Sequence, residues 1–175
     1  MKKGGLCFTD ATLRPAGARI SPMLGFAYDM DPHRAWARVA VDGRFDGPWE
    51  RKYAVGSVFL RGAGSGVVTQ VDGIEIMKRE TGAMLVDGRL PRVGAAKSVT
   101  YTGDGYVTIR HPDTSAVEAA LDFIAETVCI SYSHPASPTL PNECMKERWR
   151  HRSHYFDQQL NKPAWDNDAL EAIVK

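Results

Sequence analysis

The sequence predicts an α+β fold, in which a mostly antiparallel, hairpin-rich sheet (a meander) packs against two C-terminal helices. Asp-Gly pairs recur through the first two thirds of the chain, and most lie between β-branched or aromatic residues, the pattern typical of tight hairpin turns. Beyond residue 111 the apolar residues change from alternation to helical spacing. Because the strands precede the helices, a doubly wound parallel sheet is not expected. The five pairs are at residues 42–43, 46–47, 72–73, 87–88 and 104–105.

Seven segments have the alternation or β-branched content of strands, and the hairpin turns would join them in sequence order. A further strand is possible in "MLGFAY", residues 23–28. The "VDG" string occurs three times, but at irregular spacing, so no repeat architecture is predicted. The seven segments are residues 35–41, 53–60, 66–71, 74–78, 83–86, 98–102 and 106–110.

The first predicted helix covers residues 114–128. Ser115 and Glu118 have the spacing of a capping box, and the apolar residues that follow recur at helical intervals. The segment from residue 129 either extends this helix or forms a strand. A proline-rich connector then leads to a second predicted helix, from about Glu143 to Leu160, which Pro163 ends.

Composition predicts one domain over residues 1–175, strand-rich at 1–111 and helical at 112–175. Hydrophobic residues make up 43% of the chain, enough for a sizeable core, while charged residues make up 25% and the net charge is +1. A partner held by a global electrostatic field is therefore not expected. Contact with nucleic acid would need a local basic patch.

Three widely spaced cysteines, Cys7, Cys129 and Cys144, indicate neither a disulfide framework nor a zinc knuckle. The N-terminus lacks the apolar stretch of an export signal, and no segment is long enough to span a membrane. We therefore expect a cytoplasmic protein with no membrane contact and no cofactor. No stretch of the sequence resembles a known family.

The second predicted helix contains the basic stretch "MKERWRHRSHYF", residues 145–156. Trp149 and Phe156 fall on its apolar stripe, and the basic residues flank that stripe on both sides. Such residues contact phosphates, and Tyr155 is a candidate for stacking on a base; a solvated amphipathic helix is the alternative. The candidate nucleic-acid-binding residues are Lys146, Arg148, Arg150, Arg152 and Tyr155, with Trp36 and Arg38 on one face of the predicted strand 35–41.

A third face of the same helix holds thiolate, carboxylate and imidazole side chains at spacings that can bring neighbouring turns to one metal ion. One straight helix seldom surrounds a tetrahedral ion, so an exposed polar face is the alternative. The candidate metal ligands are Cys144, Glu147, His151 and His154.

Two further features are candidates for a binding or catalytic site. The glycine-rich segment Arg61–Val68 is followed by a predicted strand, whereas a nucleotide loop needs a helix, so a hairpin loop is favoured. A Cys–His enzyme would join Cys129 or Cys144 to His111 or His134, each of which precedes a proline. Cys129 lies in an apolar run and is better explained as a small buried residue.

Three functions follow as hypotheses. The leading one is a small accessory or regulatory protein that contacts nucleic acid through the basic helix. The alternatives are a non-catalytic protein-binding module, such as an inhibitor or assembly factor, and a Cys/His-dependent or metal-dependent enzyme.

Overall fold

The computed structural model describes residues 14–48 and 50–135, which form an α+β structure with four helices and two antiparallel sheets. The predicted class and the antiparallel pairing are confirmed, whereas the predicted helix 143–160 lies outside the described residues. The elements are α1 (Ile20–Tyr28), α2 (Pro32–Asp42), β1 (Ala54–Leu60), β2 (Ser65–Asp72), α3 (Ile74–Thr81), a 3-10 turn (Gly82–Met84), β3 (Leu85–Arg89), β4 (Gly105–His111), α4 (Thr114–Thr127) and β5 (Cys129–His134).

The strands do not form a meander. Sheet A has the order β1-β4-β3, and sheet B pairs β2 with β5. Consecutive strands β1 and β2 therefore lie in different sheets, and β1 pairs with β4 so that Ala54 faces His111 in the register. The prediction of hairpins joined in sequence order is wrong for this reason: most pairings connect distant parts of the chain.

Two of the five Asp-Gly pairs lie at helix ends, whereas Asp87-Gly88 lies within β3 and Gly105 begins β4. Gly43 (φ 64°) ends α2, and Gly73 (φ 84°) begins α3. A Cβ on Gly73 would lie 2.1 Å from the carbonyl oxygen of Thr127, so only glycine fits there. Positive φ is needed at helix ends as well as in hairpin turns, and the dipeptide does not distinguish the two.

Three predicted strands, and the segment left open between helix and strand, form strands in the structure. Segments 53–60, 66–71 and 106–110 correspond to β1, β2 and β4, and the segment after residue 128 forms β5. Segments 35–41, 74–78 and 23–28 instead lie in helices α2, α3 and α1, residues 98–102 form no strand, and 83–86 only overlaps β3.

Helix α4 confirms the predicted helix 114–128 to within one residue. Its N-cap is Asp113, however, whose side chain accepts a hydrogen bond from the Ser115 backbone N–H at 2.9 Å. The capping box predicted at Ser115 is therefore displaced by two residues. The aspartate satisfies a helix-end N–H group that has no partner within the helix.

One face of sheet A, here called the α4 face, packs against α4. A Cβ on Gly56 would meet the Leu121 side chain, which places Gly56 and its register neighbours Val58, Val107 and Ile109 on this side. These residues join one hydrophobic cluster with α3, α4 and sheet B, in which Ile109, Phe123 and Ile124 are almost fully buried. The α4 face thus belongs to the buried apolar core of the described structure.

The opposite side, here called the α1 face, combines polar and aromatic side chains with the half-buried Val55 and Phe59 of β1. Because side chains alternate along a strand, Tyr106, Thr108 and Arg110 of β4 point away from α4, as does Ser57 of β1. Ser57 and Thr108 share a hydrogen bond of 2.6 Å between their hydroxyl groups, and Thr108 is fully buried. Helix α1 lies against this face.

Candidate protein-binding surface

Helices α1 and α2 form a helical pair ahead of the first strand, here called the helical hairpin (residues 20–42). The sequence of α1, "ISPMLGFAY", contains no charged residue, and it buries only the small residues Ser21, Gly25 and Ala27. Ile20 and Leu24, one helical turn apart, are 45% and 41% exposed. An uncharged helix that leaves large apolar side chains in water is unusual for a surface helix.

Helix α2 is specified by strong local signals. The Asp31 side chain accepts hydrogen bonds from the backbone N–H groups of His33 (2.9 Å) and Arg34 (3.1 Å), and Pro32 occupies the first helical position. Gly43 ends the helix. This Asp-Pro signal was present in the sequence, and it identifies the helix better than the alternation of residues 35–41 identified a strand.

The apolar side of α2 is exposed, since none of its residues is buried. Trp36 and Val39, three residues apart and so on the same side, are 42% and 46% exposed. Five of the nine large apolar side chains exposed within the described residues lie on α1 and α2. We call Ile20, Leu24, Trp36 and Val39 the hairpin surface.

A shallow groove of about 610 Å³ lies where α1 meets α2. Its two carboxylates are already engaged, because Asp31 caps α2 and Asp29 pairs with basic residues. The groove therefore offers apolar contact more than polar chemistry. It is lined by Pro22, Gly25, Phe26, Asp29, Met30, Asp31, Pro32 and His33.

The C-terminal end of α1 is tied to sheet A through Asp29, its C-cap. Arg110 Nη1 donates to Asp29 Oδ1 at 2.8 Å, and Lys52 Nζ donates to Asp29 Oδ2 at 3.1 Å. The Arg110 guanidinium also lies 4.5 Å from the ring centre of Tyr53. The hydrogen bond from Lys52 is the largest cause that holds the pKa of Asp29 below its ordinary value. Desolvation opposes it, and the hydrogen bond from Arg110 lowers the pKa further.

The N-terminal end of α1 is tied to the same sheet through Arg19, its N-cap. Arg19 forms an ion pair with Asp87 of β3, and its guanidinium lies 3.8 Å from the ring centre of Tyr106. Arg19 (φ 64°) and Asp29 (φ 50°) both adopt the left-handed conformation, which costs free energy for residues other than glycine. Both ends of α1 are thus held by an arginine–aspartate pair beside a tyrosine.

Trp36 and Arg38 do not share the face that the predicted strand would give them. Successive residues of a helix turn by 100°, so the two side chains point in well-separated directions from α2. Arg38 pairs with Asp46 at 2.6 Å and approaches Asp42 at 4.0 Å. The shared strand face predicted for Trp36 and Arg38 is therefore absent, while contact of these residues with nucleic acid stays a prediction.

The remaining candidate residues on the predicted helix 143–160 lie outside the described residues: Lys146, Arg148, Arg150, Arg152 and Tyr155, and the metal candidates Cys144, Glu147, His151 and His154. Residues 14–48 and 50–135 contain no group of three or more His, Cys, Asp or Glu side chains able to hold a metal ion.

The described residues do not bring a cysteine thiolate and a histidine together, as the Cys–His hypothesis requires. Cys129 is disulfide-bonded, although the cysteine spacing indicated no disulfide framework, and a sulfur in that state is not a thiolate nucleophile. His111 Nδ1 accepts from the Asp113 backbone N–H at 3.1 Å, and His134 contacts Ser133. The two histidines end strands of different sheets.

The glycine-rich segment Arg61–Val68 leads into β2, as predicted, and connects the two sheets instead of closing a hairpin. Lys97 Nζ donates to the carbonyl oxygens of Gly62 (3.1 Å) and Gly64 (2.6 Å). The Gly62 N–H donates to the hydroxyl of Tyr132 at 3.2 Å, and Tyr132 donates to Asp104. This segment is occupied by structural contacts and offers no phosphate cradle.

Burial raises the pKa of Tyr132 to about 12, with a further contribution from its hydrogen bond to Asp104. Lys97 adds a cation–π contact, with Nζ 4.7 Å from the ring centre of Tyr132. The sequence contained no signal for this cluster, because its members lie far apart along the chain.

Within the described ranges, no helix has the length and apolar character required to cross a membrane.

Neither a family model nor a curated protein matches this chain. Among solved structures, the chain is similar to an L-amino acid ligase from Bacillus licheniformis, with a TM-score of 0.51 and 16% identity. It is also similar to N5-carboxyaminoimidazole ribonucleotide synthetase from Thermotoga maritima, with a TM-score of 0.44 and 14% identity. Each match covers 65% of this chain and 30% of the other, so the chain spans about a third of the length of these enzymes. The likeness to the ligase concerns the fold.

Proposed function

We propose that this chain is a non-catalytic protein-binding module whose hairpin surface docks onto a larger protein. The observation that carries the proposal is the exposed apolar side of α2, centred on Trp36, next to the uncharged helix α1. Contiguous exposed apolar surface marks interaction sites on soluble domains, and tryptophan is enriched among the residues that dominate binding energy.

The class of partner that we propose is a larger protein whose surface has an apolar pocket for Trp36 and apolar contacts for Ile20 and Leu24. A module of this kind would act as an inhibitor or assembly factor. No substrate or reaction is proposed for the module itself.

Site-specific photo-crosslinking tests the surface and identifies the partner in one experiment. A photoreactive amino acid at Leu24 or Val39 is expected to capture one defined protein, which mass spectrometry identifies. The matched control is the same amino acid at Val93, which is 67% exposed and lies next to Gly94, whose backbone N–H donates to Val68 of sheet B. Equal capture from Leu24 and Val93 would contradict a docking surface on the hairpin.

Binding to the purified partner then measures the contribution of each residue. Trp36→Ala and Leu24→Asp are expected to weaken binding by roughly tenfold or more, since a hot-spot residue contributes about 2 kcal/mol or more. Val93→Asp should leave the affinity unchanged. A partner that binds all three variants equally would show that the interface lies elsewhere.

Contact with nucleic acid through Lys146, Arg148, Arg150 and Arg152 stays a second proposal, which rests on the density of basic residues in the sequence. It predicts binding that weakens steeply with added salt, because neutralised phosphates release counterions. Fluorescence anisotropy with single- and double-stranded DNA and RNA at low salt tests it. The absence of binding, or binding unchanged in Arg148→Ala/Arg150→Ala, would overturn it.

A further inference from the structure

The helical hairpin contributes nothing to the described hydrophobic cluster. All residues of that cluster, and the half-buried apolar residues packed against it, belong to residues 54–132. Helix α1 buries only Ser21, Gly25 and Ala27, and α2 buries none of its residues. The core is therefore complete without the hairpin, as far as the described residues show.

Polar contacts attach the hairpin to the rest of the structure. Arg19 pairs with Asp87, and Arg110 donates to Asp29 at 2.8 Å and, at 3.5 Å, to the carbonyl oxygen of Phe26. The backbone N–H groups of Lys52 and Tyr53 both donate to the Ala27 carbonyl oxygen, at 2.9 and 3.2 Å. Larger residues of α1, such as Phe26, are only half-buried.

In each of the two arginine–aspartate pairs, one N–H group of the arginine has no hydrogen-bond acceptor among the described residues. The Nε atoms of Arg19 and Arg110 are buried and have no hydrogen-bond partner within residues 14–48 and 50–135. A buried N–H without a partner loses its hydration and gains nothing in return. Each of these two arginine–aspartate clamps therefore stabilises the docked state less than its ion pair alone would indicate.

We propose that the helical hairpin is a detachable arm: it leaves the α1 face of sheet A as a unit while the core of residues 54–132 stays folded. Local opening of this kind occurs wherever a segment contributes little to the core and its contacts are exposed to solvent. The arginine–aspartate clamps set the opening equilibrium. Ionic strength controls it, because the ion pairs are partly exposed and salt screens them.

Opening would expose the α1 face of sheet A, which includes Tyr106, the Ser57–Thr108 pair and Arg110. It would also expose the side of α1 that is buried in the docked state, with Ser21, Gly25 and Ala27. The α1 face has hydroxyl and charged side chains beside Val55 and Phe59, so its exposure removes less apolar surface from the core than exposure of the α4 face would. The inference concerns the arm alone and stands whether or not a partner binds the hairpin surface.

Hydrogen–deuterium exchange of the full chain, followed by mass spectrometry, tests the arm. Asp87→Asn removes the charge of one clamp with little change in shape, and it is expected to speed exchange in residues 20–42 by roughly tenfold, the effect of losing one hydrogen bond to a charged group. Exchange in β4 and α4 should not change. Glu75→Gln, which removes the exposed pair with Lys78, is the matched control and should alter neither region.

Raising the ionic strength of the wild-type protein to about 1 M, where the Debye length is about 3 Å, is expected to have the same regional effect as Asp87→Asn. This second measurement requires no substitution, so it does not depend on how well the variant folds. If residues 20–42 and the amides of β4 and α4 exchange at one common rate, or if salt leaves the hairpin unchanged, the arm is overturned.

Discussion

The two faces of sheet A come from alternate residues of the same strands, yet different interactions stabilise them. On the α4 face, Val107 and Ile109 pack into the apolar cluster. On the α1 face, Tyr106, Thr108 and Arg110 meet an arginine, a hydroxyl and an aspartate. One strand thus lies in an apolar core on one side and forms polar contacts on the other.

The largest effect is expected from Ile109→Ala, which removes a fully buried side chain from the α4 face. Loss of apolar burial and the cavity left behind should lower the free energy of unfolding by about 2–5 kcal/mol, as measured by urea denaturation. Val99→Ala, at a fully exposed position, is the control. A loss below about 1 kcal/mol would mean that the α4 face is not the core.

Tyr132 extends the comparison to sheet B, where a polar cluster is buried. Its folded pKa of about 12 lies above the ordinary value of 10, so the neutral phenol is favoured in the folded state. The stabilisation is complete below pH 10 and is lost as pH rises towards 12, where the unfolded chain already ionises.

We therefore expect the free energy of unfolding to fall between pH 10 and 12 by on the order of 2 kcal/mol more in the wild type than in Tyr132→Phe. Urea denaturation at several pH values measures the difference. Parallel pH profiles for the two proteins would show that the buried hydroxyl does not respond to pH.

A smaller effect is expected on the α1 face from the Ser57–Thr108 pair. Thr108→Val leaves the Ser57 hydroxyl without this partner and should cost about 1–2 kcal/mol. Removing both hydroxyls in Ser57→Ala/Thr108→Val should cost less than the sum of the single changes, because no unpaired group remains. A double-mutant cycle by urea denaturation tests this, and strict additivity would indicate that the hydroxyls do not interact.

The smallest effect is expected from Asp46→Asn, which breaks the ion pair with Arg38 at the exposed end of α2. Both side chains are about half-exposed, so the free energy of unfolding should change by less than about 0.5 kcal/mol. Thermal unfolding at low and high salt provides the measurement. A larger loss would place Asp46 and α2 within the cooperative core, contrary to the detachable arm.

Sequence patterns predicted elements whose cluster residues recur at the period of the element itself. The spacing of Val117, Leu121 and Ile124 identified α4, and the alternation in residues 106–110 identified β4. Residues 35–41 alternate too, but Ala35, Ala37 and Val39 suit either structure. The N-cap Asp31, followed by Pro32 at the first helical position, favours the helix.

The candidate surface and its attachments were beyond prediction for a physical reason. Arg19 meets Asp87, and Arg110 meets Asp29, only because β4 lies between β1 and β3 and α1 covers the sheet. Periodicity describes neighbours a few residues apart and contains no information on such long-range pairs. Charge and glycine content likewise could not assign the segment 61–68 to a connection between sheets.

The pairing of β1 with β4 has a consequence for synthesis on the ribosome. Ala54 can pair with His111 only after His111 has been translated. Strand β1 therefore stays unpaired while β2, α3 and β3 are translated. Sheets that depend on distant partners form slowly, and unpaired apolar strands favour aggregation in the meantime. We expect the nascent chain to need protection by a chaperone until β4 has left the exit tunnel.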